Sequence, residues 1–126
     1  MKRALFAAVL AVAVLQFMPT QAAGSYDGTW NGAVEGASGR CPPGTIVMHI
    51  SGGRILGHLA LGAGVVPFRG TVAADGGVNA GYNYPQHSAK GTLTGTITGD
   101  DFAGKLDSSY AATNSSCVRN VSAKRS

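Results

Sequence analysis

Three histidines, six carboxylates and two cysteines are the first groups in this chain to weigh as metal ligands, proton carriers or nucleophiles. His49 and His58 are the most suggestive pair. If Gly52-Gly53 is the loop of a two-residue hairpin, these histidines fall on one face of adjacent strands, roughly 7–8 Å apart between Cα atoms. Imidazoles so placed can reach toward one metal ion. Zinc asks for three or four ligands, and the sequence offers no third one: His87 follows Pro85 in a loop with no fixed position. The pair therefore reads as two solvent-facing histidines, with no metal and no cofactor.

The carboxylates read the same way. Asp27 and Asp75 precede glycines and Asp100-Asp101 forms a tight turn, places that suit aspartate for backbone reasons. Glu35 is the lone glutamate and Asp107 ends a strand. A glycosidase-like hydrolase needs two carboxylates converging on one cleft, and no pair is marked. There is no G-x-S-x-G motif and no nucleotide-binding glycine loop. With so few titratable groups free to build a site, the expectation is a protein that is not an enzyme.

The cysteines are committed elsewhere. The chain opens with a positive Met1-Lys2-Arg3, an apolar run from Ala4 to Leu15, and the A-x-A-like Thr20-Gln21-Ala22. That order is the layout of a secretory signal peptide over residues 1–23, cleaved after Ala22 or Ala23. The apolar run falls short of the ~20 residues that span a bilayer, and no second run follows. A periplasmic or secreted protein meets an oxidising compartment, so Cys41 and Cys117 are expected to pair. The closed loop of about 76 residues is worth on the order of 4 kcal/mol in the chain-entropy model.

The formal net charge is +4. Lys2 and Arg3 leave with the signal, and the eight basic residues that remain face six acidic ones. Those basic residues are scattered without interleaved aromatics, which argues against a nucleic-acid surface.

The elements that must position these groups are strands. Ile46, Met48 and Ile50 alternate with Val47, His49 and Ser51; Leu93, Gly95 and Ile97 alternate with Thr92, Thr94, Thr96 and Thr98. Turn residues set the register. A Gly52-Gly53 loop matches Ile50 with Ile55 and Ile46 with Leu59. A Gly99-Asp100 loop matches Ile97 with Phe102 and Leu93 with Leu106. A three-residue loop at Asp75-Gly76-Gly77 matches Val72 with Ala80 and Phe68 with Tyr84. The expectation is eight strands over 27–35, 45–51, 54–60, 66–73, 78–84, 90–98, 101–107 and 117–124, with 108–116 a polar loop. A meander of eight strands with one apolar face closes most naturally into an antiparallel up-and-down barrel, a single all-β domain over 24–126. A flattened β-sandwich is the alternative.

Gly28-Thr29-Trp30 resembles the first-strand G-x-W of calycin-type barrels such as lipocalins and avidins. The resemblance implies that Gly28 lets the chain turn in tightly while Trp30 plugs one end of the barrel, and that a late arginine, Arg119 or Arg125, packs across the ring. The several tryptophans of an avidin biotin site are missing. Over nearly the whole mature length, "YDGTWNG", one Cys soon after, "RGTVAADGGV", "GTLTG" and a final Cys before "SAKR" are similar to a group of small exported proteobacterial proteins marked by D-G-T-W. That group has no established activity, so the resemblance implies compartment and fold only.

Candidate binding residues are those at strand ends where a barrel mouth would lie: Val66, Tyr84 and Pro85. The function expected is a non-catalytic binding protein. Its partner would be a small apolar ligand or another extracytoplasmic protein. A secreted inhibitor of a protease or lysozyme, or an envelope protein with no small ligand, are the alternatives.

Overall fold

Alternation at period two, punctuated by glycine turns, builds a closed antiparallel barrel in the computed structural model, which describes residues 24–36, 41–62 and 64–126. The expected leader, residues 1–23, lies outside the described residues. The strands are β1 (Gly28–Gly36), β2 (Gly44–Ser51), β3 (Arg54–Leu61), β4 (Gly64–Val72), β5 (Gly77–Tyr84), β6 (Ala89–Thr98), β7 (Asp101–Tyr110) and β8 (Ser115–Arg125). Each pairs with its neighbour in sequence, and β1 closes the ring against β8. Short 3-10 turns at Pro85–His87 and Ala111–Thr113 are the only helical pieces among the described residues, and no helix there is long and apolar enough to cross a membrane.

Two of the three expected registers stand. Ile50 faces Ile55 and Ile46 faces Leu59; Ile97 faces Phe102 and Leu93 faces Leu106. Glycines carry the left-handed backbone that such tight turns need, with φ of 59° at Gly52, 80° at Gly53 and 63° at Gly99. The third register is two residues off. Val72 faces Val78 and Gly70 faces Ala80, because the turn begins earlier, at Ala73. The Ala73 N–H donates to Gly77 O at 2.8 Å, and the Gly77 N–H donates to Asp75 Oδ1 at 2.9 Å. The expected 108–116 loop also shrinks: β7 runs on to Tyr110 and β8 begins at Ser115.

One side of every strand faces inward. Trp30, Val34, Ile46, Met48, Ile55, Leu59, Leu93, Phe102 and Leu106 are fully buried there. Small residues on the same face make room for the rings. The Phe68 ring lies against Gly57, and Phe102 lies against Gly95 and Gly104. The middle of the barrel is therefore filled by side chains, as an eight-strand ring permits.

The two ends differ. At one end the connections are tight turns, and Trp30 fills the opening. Its indole N–H donates to Tyr26 O at 3.1 Å, and the Arg125 guanidinium lies 4.9 Å from its ring centroid. Arg125, not Arg119, is the late arginine on the tryptophan. It is held by Asp100 at 2.8 Å and donates to the carbonyls of Ser25 and Asp27. Gly28 has φ of 137°, and a Cβ there would press on the Arg125 side chain at 3.0 Å. The Asp27 carboxylate accepts from the Gly52 N–H at 2.9 Å, tying the first strand to the β2–β3 turn.

The candidate site at the open end of the barrel

At the opposite end the β1–β2, β5–β6 and β7–β8 connections span four residues or more, the β3–β4 connection only two, and the interior opens. Leu61 ending β3, Val66 on β4, Tyr82 and Tyr84 on β5, Ala89 starting β6 and Tyr110 ending β7 surround a cavity of about 380 Å³. They converge because inward-facing positions recur every second residue and all five strands reach this end. Val66 and Tyr84, expected at a barrel mouth, are both in its wall. Pro85 is not: it opens the exposed 3-10 turn just beyond.

Beneath the cavity lies a polar layer that polar composition had disguised as loop. Arg119 on β8 is fully buried. Its Nε donates to Pro42 O at 2.9 Å, one terminal nitrogen donates to Ser108 Oγ at 3.2 Å, and the other reaches the Tyr110 hydroxyl at 3.5 Å. Ser108 Oγ is also 2.9 Å from the Tyr82 hydroxyl. Burial pushes the Tyr82 phenol above its ordinary range, a rise that the Ser108 hydrogen bond and the nearby Arg119 charge oppose. The Cys41–Cys117 disulfide, with Cα atoms 5.7 Å apart, staples the chain beside Pro42 to the strand that carries Arg119. Sequence reasoning missed Tyr82, Ser108, Tyr110 and the inward role of Arg119. The strand alternation Cys117, Arg119, Val121, Ala123 carried the signal, since it places Arg119 among inward residues.

Tyr82 stands between this cavity and a second, outer cleft. The β4–β5 ladder runs only from Arg69–Gly81 to Val72–Val78, so the two strands part toward the open end. Pro67 has no N–H to donate across that gap. An outer cleft of about 500 Å³ follows the seam, lined by Leu56, His58, Pro67, Arg69, Tyr82 and Asn83. Seating of the Tyr82 ring depends on Gly91, where a Cβ would overlap the ring itself. Gly91→Ala is expected to cost about 1–3 kcal/mol by overpacking. Urea unfolding followed by circular dichroism checks this, and an unchanged midpoint would place the ring elsewhere.

The other chemical groups do not gather here. His49 and His58 are exposed on the outer wall, diagonal across β2 and β3, with His49 against Leu56 and His58 against Val47. His49 Nδ1 lies 3.3 Å from the Thr29 hydroxyl. No group of three or more His, Cys, Asp or Glu able to hold a metal occurs among the described residues. Asp27, Asp75, Asp100 and Asp101 all serve turns or ion pairs at the plugged end. The chain matches no family model, no curated protein and no solved structure.

Proposed function

We propose that this chain is a small extracytoplasmic, non-catalytic binding protein that holds a small ligand with an apolar body in the cavity at the open end of its barrel. The observation that carries this reading is the asymmetry of the two ends. One is closed by Trp30 and Arg125, while the other keeps a cavity of about 380 Å³ walled by Leu61, Val66 and three tyrosines. A concave, mainly apolar wall with a few converging hydroxyls is the usual make-up of a ligand site. The Cys41–Cys117 disulfide suits an oxidising compartment, and the sequence pattern of residues 1–23 suits export to it. Four of the six carboxylates are engaged in turns and ion pairs at the plugged end, away from the cavity, which favours binding over catalysis.

Native mass spectrometry of protein expressed from the full chain and recovered with its disulfide formed is the direct test. The expected result is an added mass on the order of a few hundred daltons, released on denaturation. Ala89→Phe, which fills the cavity from its buried wall, should abolish that adduct. An adduct that survives Ala89→Phe, or a chain that stays bare when offered apolar small molecules, overturns the reading.

A further inference from the structure

The geometry points to an anionic ligand: the open-end cavity takes the carboxylate of an amphipathic monoanion, held by the Tyr82 and Tyr110 hydroxyls and balanced by the buried charge of Arg119. This rests on the cavity being the ligand site.

Arg119 is completely shielded from solvent, yet no carboxylate lies within ion-pair distance of it among the described residues. An arginine keeps its charge inside a protein and offers five N–H donors. Three of those donors have acceptors here: Pro42 O, Ser108 Oγ and, at the long limit of 3.5 Å, the Tyr110 hydroxyl. A buried charge without a counter-charge is costly, because a low-dielectric surrounding does little to screen it. The protein does not supply the missing charge. Asp27, Asp75, Asp100 and Asp101 are at the far end, while Glu35 and Asp107 are exposed on the outer wall.

Counting hydroxyl hydrogens leads to the same place. The Ser108 and Tyr82 hydroxyls are linked at 2.9 Å, and the Tyr110 hydroxyl is reached by Arg119. Three hydroxyls bring three hydrogens, and the link between Ser108 and Tyr82 consumes one. The guanidinium can only donate, so it takes up none of them. The Tyr110 hydroxyl, which accepts from Arg119, keeps its own hydrogen to donate. Tyr82 and Tyr110 both line the cavity, so an acceptor entering it comes within reach of these hydroxyls. One uncompensated positive charge and one spare donor match a single negative charge better than a dianionic phosphate. The surrounding Leu61, Val66 and tyrosine rings match an apolar body attached to it.

The test compares decanoate with 1-decanol, which shares the tail but lacks the charge, by isothermal titration of the oxidised protein. Decanoate is expected to bind roughly tenfold to a hundredfold more tightly than the alcohol, the range of charge-assisted hydrogen bonds. Tyr82→Phe and Tyr110→Phe, which keep the rings, should each weaken decanoate more than decanol and so shrink that preference. Arg119→Met should erase the preference if it folds, and the two tyrosine variants decide the matter if it does not. Equal affinity for decanoate and decanol overturns the anionic assignment but leaves the cavity as a ligand site. Binding of neither overturns both.

Discussion

Trp30→Ala is expected to destabilise the barrel by about 3–5 kcal/mol, the upper range for emptying a buried aromatic position. The ring is completely shielded and closes one end of the barrel, so its loss opens the core to water rather than leaving a sealed void. Two further contacts go with it. The indole no longer holds Tyr26 O, and Tyr26 is itself tied to Ala74 O at 3.0 Å across the β4–β5 turn. Arg125 loses its aromatic platform, although its bonds to Asp100 and to the Ser25 and Asp27 carbonyls persist. A small domain is stable by only about 5–15 kcal/mol, so this one change removes a large share. Urea unfolding followed by far-ultraviolet circular dichroism measures it, since the only tryptophan is the residue removed. A loss below about 1 kcal/mol would mean that neighbouring side chains collapse into the space. Because the open end is distant, decanoate affinity measured well below the unfolding transition should change little.

The barrel was legible because glycine turns report register. Gly52, Gly53 and Gly99 adopt the positive φ that tight two-residue turns need, and the apolar faces then match of themselves. The turn after Val72 was less legible for a physical reason. Val72 against Ala80 and Val72 against Val78 both set apolar on apolar, since a slip of two residues leaves every side chain on its own face. Hydrophobic matching cannot separate the two, and the deciding bond from Ala73 to Gly77 is between backbone atoms that any residues supply. The site was half legible. Val66 and Tyr84 follow from strand ends, but Ser108 and Tyr110 lie in a stretch of small polar residues that composition assigns to solvent. They face inward because Arg119 is there to use their hydroxyls. A polar residue inside a barrel is visible only once its partner across the ladder is known, and here Leu106 stands opposite Arg119 while Cys117 stands opposite Ser108.

Replacing both cysteines, Cys41→Ser with Cys117→Ser, is expected to cost about 4 kcal/mol through the entropy returned to the unfolded chain by opening a loop of this length. The sequence separation of 76 sets that figure. A second contribution comes from the folded state. The disulfide holds the chain beside Pro42, whose carbonyl accepts from Arg119 Nε at 2.9 Å. If that chain swings away, a buried guanidinium N–H loses its acceptor, which adds about 1–3 kcal/mol. The two contributions separate by measurement. The entropic one lowers the urea midpoint and leaves decanoate affinity as it was. The local one changes affinity as well, because Arg119 also contacts Ser108 and Tyr110, which lead to the cavity. The expected pattern is a large fall in midpoint together with a measurable change in decanoate affinity and none in decanol affinity. A midpoint within about 1 kcal/mol of the oxidised protein would mean that the β1–β8 ladder and the core already hold this end closed, and that the loop constraint counts for little.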